Sequence, residues 1–407
     1  MIACSERRPP RRVLVVDDSA FMRRLVSELV AATGEFTVVG TARDGDEAIR
    51  QVHALDPDIV TLDIAMPDPD GLAVLGYIMS ETPRPVVMLS AAAATGPSAI
   101  VGGRAGGGVG NEPAWATVRA LELGAVDFVQ KPSGPISLDV ADVGDRLLSA
   151  LRAAEAVDVG RVRVLARPGP AAEAWRARAS ADARQVADVT SIAAPATSLA
   201  APPPLADAVV VIAASTGGPA ALTQLVPRLR APLGAAVVVV QHLPEGFSSR
   251  LAARLDGLSA LPVREAQDGQ PLHADTVYLA PGGRHTQVVR TAEGATLSLS
   301  LEPPVWGVRP AADPLFASAA ACFGARVVGV VLTGMGRDGA EGARRIRRGG
   351  GTVLVQEPSE AVVSGMPAAA LRQAGADAIL SLDDAADRIA RAVERLPSAS
   401  AVPDGCP

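Results

Sequence analysis

Ser215, His242 and Asp338 are the residue types of a hydrolytic nucleophile system, and each stands just after a short apolar run. Ser215 follows VVVIAA and opens the turn Ser215-Thr216-Gly217-Gly218-Pro219. His242 follows AAVVVVQ, and Asp338 lies in the glycine-rich turn after VVGVVLT. A hydroxyl is a poor nucleophile until a base takes its proton, and that base needs a carboxylate to fix its tautomer and stabilise the imidazolium. These three roles fall to Ser215, His242 and Asp338, with backbone N–H groups at Thr216 and Met335 as oxyanion donors. The bland alternatives are helix N-caps for Ser215 and Asp338 and a core position for His242. Of the other histidines, His53 lies early in the chain and His273 and His285 sit in loop-like contexts, which leaves His242 the best-placed base.

A second constellation lies upstream. Asp17-Asp18, Asp63, Ser90 and Lys131 each end or follow an apolar run. Three carboxylates brought together repel one another unless a cation shares the site, and a hard, oxygen-seeking ion such as Mg²⁺ relieves that repulsion. With that metal and an ammonium beside it, Asp63 can act as nucleophile toward a phosphoryl group, whose oxygen Ser90 can then engage. Lys131 is the only lysine among 38 basic residues. A chain that otherwise chooses arginine places a compact point charge here instead of a planar fork.

The elements that must position these groups read as two α/β patterns. Runs at 13–17, 36–41, 58–63, 85–90 and 126–129 alternate with helical patterns at 20–31, 46–54, 72–79 and 114–123 and one near Leu147, a (βα)₅ order expected to give a flavodoxin-like parallel sheet over 11–152. Residues 91–112 are too glycine-rich to pack and are expected to form an inserted loop. Periodicity fades over 153–205, a flexible linker by composition, and the tail 397–407 is expected to be disordered. Strand patterns at 209–214, 236–241, 276–280, 327–333, 352–356 and 378–380 predict a doubly wound parallel α/β domain over 206–396. In such sheets functional groups gather past the carboxyl ends of the strands, which is where both constellations stand.

Composition narrows the function. The 407 residues suffice for two or three domains. A net charge of −6 argues against a protein built to hold nucleic acid, since that binding neutralises phosphates. Three scattered cysteines suggest neither a disulfide framework nor a cysteine zinc site. No apolar run approaches the roughly 20 residues that cross a bilayer, and the arginine-rich start leads into a strand and not an apolar signal segment; the expected location is cytoplasmic.

The segments VLVVDDSAFMR, VTLDIAMPDPDGL, VVMLSA and GAVDFVQKPSG resemble the signatures of response-regulator receiver domains. That resemblance implies phosphorylation of Asp63, Mg²⁺ ligation by Asp18, Asp63 and the carbonyl of Ala65 with Asp17 behind them, and switching through Ser90 and Lys131. IAASTGGP, VVVVQHLPEGFSSRLA, VYLAPGGRH, GVVLTGMGRDGAEG and VQEPSEAVVSGMPAAAL resemble the catalytic domain of chemotaxis protein-glutamate methylesterases. The implied activity is phosphorylation-regulated removal of methyl groups from chemoreceptor glutamates, with deamidation of receptor glutamines by the same acyl-enzyme. The implied partners are methylated chemoreceptors and a chemotaxis histidine kinase, with no cofactor for the esterase.

Two rival readings use the same residues. Gly334 to Gly339 spells G-x-G-x-x-G after a strand, with Glu357 further on, the fingerprint of a dinucleotide-binding oxidoreductase. Against it, Asp338 would set a like charge against the pyrophosphate at the helix N-terminus meant to bind it. That reading also leaves Ser215 and His242 without a task. The other rival is a non-catalytic adaptor driven by the receiver, binding nucleic acid through its arginine-bearing linker, a version that no helix-turn-helix signal supports.

Overall fold

The computed structural model describes residues 9–67, 69–90, 116, 119–121, 123–131, 139–157 and 204–397. The expected glycine-rich insertion, most of the expected linker and nearly all of the tail lie outside them.

The N-terminal domain has strands β1 (Arg11–Val16), β2 (Phe36–Ala42), β3 (Ile59–Asp63), β4 (Val86–Ser90) and β5 (Asp127–Gln130). They form one sheet in the order β2-β1-β3-β4-β5, every pairing parallel. Helices α1 (Ala20–Ala31), α2 (Gly45–Leu55), α3 (Gly71–Glu81) and α4 (Asp139–Glu155) cover its two faces. Ser19, Asp44 and Asp70 cap the first three through side-chain oxygens that accept N–H groups of the first turn, which fixes where each helix starts. The flavodoxin-like expectation holds, and the strand ends at Asp17, Asp63, Ser90 and Lys131 meet on one edge.

The C-terminal domain carries a seven-stranded sheet in the order β14-β13-β12-β6-β7-β9-β8. Its strands are β6 (Val209–Ala214), β7 (Ala236–Gln241), β8 (Val263–Glu265), β9 (Val277–Leu279), β12 (Val327–Val331), β13 (Thr352–Gln356) and β14 (Ala378–Leu380). All pairings are parallel. Helices α5 (Gly218–Leu225), α6 (Ser248–Asp256), α7 (Ala312–Phe323), α8 (Ala340–Arg348), α9 (Gly365–Gln373) and α10 (Ala385–Glu394) complete the wrapping. Valine runs suit these strands because a parallel sheet is buried on both faces. Along β6, Val210, Ile212 and Ala214 enter one apolar cluster while Val209, Val211 and Ala213 enter the other, the period-2 alternation of a strand. Each fully buried valine contributes about 1.5–2 kcal/mol, so a charged substitution at Val211 would break the layer.

The strand order reverses at β6 and β12, so a crevice opens past their carboxyl ends. Two features differ from expectation. A two-stranded antiparallel hairpin, β10 (His285–Thr291) with β11 (Gly294–Ser300), stands apart from the main sheet. His285 is therefore no loop residue: it starts β10 with no solvent exposure, its Nδ1 accepting the Ala311 N–H at 3.2 Å and its Nε2–H donating to the Pro303 carbonyl at 3.1 Å. Both ring nitrogens serve as structural clips, which removes His285 as a rival base.

Candidate active site

Ser215 follows β6, His242 follows the adjacent β7, and Asp338 closes the turn after β12 on the other side. The topology brings all three to the crevice. The Ser215 hydroxyl donates to His242 Nδ1 at 3.0 Å, and His242 Nε2–H donates to Asp338 Oδ2 at 2.7 Å. This reverses the nitrogens of the familiar serine-protease arrangement but keeps its order, because either ring nitrogen can accept once the other is held as a donor. Asp338 is 2 % exposed, and its carboxylate also accepts the N–H groups of Ala312, Asp313 and Gly339 at 2.6, 3.0 and 3.0 Å. Ala312 and Asp313 begin α7, so a helix N-terminus faces the charge. Burial works to raise the Asp338 pKa, yet the His242 bond and these N–H groups hold it below the usual carboxylate range.

The capping alternatives are not what the structure adopts. The residue preceding α5 is Gly217, at a φ of 77°, and the one preceding α8 is Gly339, at 85°. Left-handed backbone at these two positions suits glycine and lets Ser215 and Asp338 point into the crevice. A Cβ on Gly334 would come within 2.7 Å of Ser215 Cβ, so the Gly334-Met335 turn packs directly on the serine. Thr216 and Met335 thus flank Ser215 from β6 and from β12.

Polar side chains at strand ends, not singled out from the sequence, stiffen this corner. Gln241 Nε2 donates to the Ser215 carbonyl at 2.9 Å, Gln356 Oε1 accepts the Thr333 N–H at 2.7 Å, and the Thr333 hydroxyl donates to the Thr216 carbonyl at 3.0 Å. Asp313 accepts the Gly342 N–H at 2.7 Å and the Trp306 indole N–H at 2.7 Å. Burial raises the Asp313 pKa, with those donors opposing it. The available signal was a lone amide closing each of the apolar runs AVVVVQ and TVLVQ.

In the N-terminal domain the ligand atoms of Asp17, Asp18 and Asp63 lie within 4.8 Å of one another. Lys131 Nζ sits 2.7 Å from Asp17 Oδ2 and 2.8 Å from Asp63 Oδ2. Burial raises the Asp17 pKa even against Lys131. One ammonium therefore leaves three carboxylates under-compensated, which is the donor set a hard divalent cation fits. Ser90 is buried at the end of β4, with its carbonyl accepting the Lys131 N–H at 2.7 Å. Ala65 follows β3, and its N–H donates to Asp63 Oδ1 at 3.1 Å.

The receiver meets the hydrolase domain along β5. The Thr216 hydroxyl donates to Asp127 Oδ2 at 2.9 Å, and burial pushes the Asp127 pKa up. Phe128 packs on the fully buried Phe247 with ring centroids 4.9 Å apart, and the Ser149 hydroxyl on α4 reaches Met335 Sδ at 3.8 Å. Val362 and Val363 join the N-terminal domain's core cluster. What remains between the domains is a cleft of about 540 Å³ lined by Ser215, His242, Trp306, Arg337 and, opposite, Asp127 and Phe128.

The sequence pattern of the family described as CheB methylesterase matches residues 210–389, and that described as response regulator receiver domain matches residues 13–106. A curated protein-glutamate methylesterase/protein-glutamine glutaminase of Symbiobacterium thermophilum is 45 % identical over 385 residues, 94 % of this chain and 97 % of that protein. One of Pyrococcus abyssi with the same name is 37 % identical, covering 95 % of this chain and 94 % of that one. Among solved structures, the CheB methylesterase catalytic domain of Thermotoga maritima is 37 % identical, covering 45 % of this chain and 97 % of that one at a TM-score of 0.44.

Proposed function

The chain belongs to the CheB methylesterase family, phosphorylation-regulated hydrolases of protein-glutamate methyl esters with a receiver domain, and on that premise we propose how its residues divide the work. Ser215 attacks the glutamyl ester carbonyl while His242 Nδ1 takes the hydroxyl proton. Asp338 holds the imidazole in its Nε2–H tautomer and stabilises the imidazolium. The oxyanion forms beside the N–H groups of Thr216 and Met335. His242 returns the proton to the leaving methoxide, giving methanol. Water then attacks the acyl-serine with His242 again as base, releasing glutamate and Ser215. A glutamine side chain enters the same route with loss of ammonia, the second activity in the relatives' names.

The observation that carries this reading is His242 hydrogen-bonded at once to Ser215 and Asp338. The dinucleotide alternative has no support: Asp338, which lies within the glycine fingerprint, is committed to His242 and to the N-terminus of α7. The decisive test is methanol release from methylated receptor. Ser215→Ala should abolish it while leaving receiver phosphorylation intact, and persistence of release would overturn the assignment.

Regulation follows from β5. Asp63 takes the phosphoryl group, with Ser90 and Lys131 as the switch pair. Mg²⁺ would be held by Asp18, Asp63 and the Ala65 carbonyl, with Asp17 behind, and would supply neutralising charge to the incoming phosphoryl oxygens. In the unphosphorylated protein, Asp127 and Phe128 close over Thr216 and Phe247. Lys131 follows the strand that bears both, so its re-pairing with a phosphoryl group pulls on the closure directly. The phosphodonor is a chemotaxis histidine kinase, the substrates are methylated chemoreceptors, and the protein works in the cytoplasm. Among the described residues, no helix is long and apolar enough to cross a membrane.

A further inference from the structure

Trp306 has an unusual backbone and a specific anchor. Val305 and Val308 exchange both backbone hydrogen bonds at 3.1 Å, closing a two-residue turn. Its central residues, Trp306 and Gly307, have φ of 55° and 78°. Positive φ at both is a type I′ turn, which favours asparagine or glycine at the first position. A bulky indole there is an outlier, the kind of local strain that persists where surrounding contacts over-determine it. Those contacts are present. The indole N–H donates to Asp313 Oδ2, and the Asp313 backbone N–H donates to Asp338 Oδ1, so the ring hangs from the scaffold that holds the catalytic carboxylate.

The indole is nevertheless 49 % exposed and lines the cleft with Ser215 and His242. Its face is covered by Arg337, whose guanidinium carbon lies 3.8 Å from the ring centroid. Arg337 is the residue before Asp338 and makes no ion pair with a carboxylate among the described residues. Stacking occupies the flat face of a guanidinium and leaves its in-plane N–H fork free, the edge that matches a carboxylate in two parallel bonds. Holding that fork in place removes much of the rotamer freedom an arginine otherwise loses on binding.

We propose that Trp306 and Arg337 form a carboxylate-reading wall of the active site, which selects glutamyl esters that have a free acidic side chain close by on the same substrate segment. The inference rests on the ester-hydrolase reading and adds a specificity determinant to it. On a helical substrate, residues three or four positions from the ester have Cβ atoms about 5–6 Å away, so an acidic neighbour presents its carboxylate on the ester's own face. Trp306 is a positioning residue that acts through Arg337.

The test uses the full-length protein with acetyl phosphate and Mg²⁺, and two helical peptides with one glutamyl methyl ester each. One carries glutamate four residues from the ester and the other glutamine. The readout is the ratio of kcat/KM values for methanol release, which cancels changes common to both peptides. A charge-assisted contact at a partly exposed site predicts a wild-type ratio of about tenfold in favour of glutamate, carried by KM and lowered by salt. Arg337→Glu should bring the ratio to one or below. Arg337→Gln, which keeps the stem without the charge, and Trp306→Ala, which frees the guanidinium, should both bring it close to one. A wild-type ratio near one overturns the proposal, and so does a high ratio that survives all three substitutions. Methanol release from neither peptide by wild-type protein would instead count against the ester-hydrolase reading itself.

Discussion

Phe128→Ala tests the closure most cleanly, because Phe128 belongs to the receiver and touches none of the reacting groups. Removing a fully buried phenylalanine side chain costs about 3–5 kcal/mol. Phe128 is half-buried and divides its contacts between the receiver's own core and the hydrolase. The share lost between the domains is the aromatic pair with Phe247 and the apolar area around it, about 1–2 kcal/mol. At 1.4 kcal/mol per tenfold, the balance between closed and open forms moves toward open by about 5- to 30-fold. Methanol release by the unphosphorylated variant should rise by that factor over unphosphorylated wild type, up to the ceiling set by the fully open enzyme. Mg²⁺-dependent phosphorylation of the variant serves as the control for an intact receiver. Unchanged basal release from a variant that still takes a phosphoryl group would refute the idea that this contact holds the crevice shut.

The pH dependence of closure has a defined sign. Burial raises the Asp127 pKa in the closed form, so the closed form holds that proton more tightly than the open one. Protonation favours closure, and deprotonation favours opening. The ratio of basal to phosphodonor-activated hydrolysis should therefore rise with pH from the ordinary aspartate value, about 3.9, upward; Asp127→Asn should flatten that rise and lower the basal rate. Asp338→Asn should lower kcat by about 10⁴-fold, since the neutral amide cannot stabilise the imidazolium and misdirects the tautomer; initial-rate kinetics on the activated protein would measure it. Asp63→Asn should leave basal methanol release in place and remove its stimulation by acetyl phosphate, read by comparing rates with and without the donor.

Much of this was legible in the sequence. Both parallel sheets could be read from apolar runs punctuated by glycine and aspartate, and the strands at 209–214, 236–241, 352–356 and 378–380 appear with those bounds. Legibility was highest where one physical rule acted alone: a strand buried on both faces has little freedom of composition. The hairpin of β10 and β11 escaped because its serines, threonines and Arg290 alternate weakly with apolar residues, the pattern of a strand pair solvated on one side. His285 was misplaced for the same reason. At the site, Ser215, His242 and Asp338 were visible as types and positions. The nitrogen facing each partner was not, because it depends on how β7 aims the imidazole. Gln241, Gln356, Thr333 and Asp313 stayed hidden, since nothing local marks a polar residue whose partner is a distant backbone group. The contacts of Asp127 and Phe128 with the second domain depend on docking, which strand periodicity does not encode.

β5 has only four residues, about 13 Å at strand rise, yet it separates the plug from the lysine of the acidic pocket. Under the gating proposed above, a change in the pairing of Lys131 has only this one short strand to travel before it reaches the ring of Phe128. A foreign receiver grafted onto this hydrolase should therefore need β5 together with the α4 face at Ser149 and the surface that receives Val362 and Val363, because all three meet the hydrolase domain.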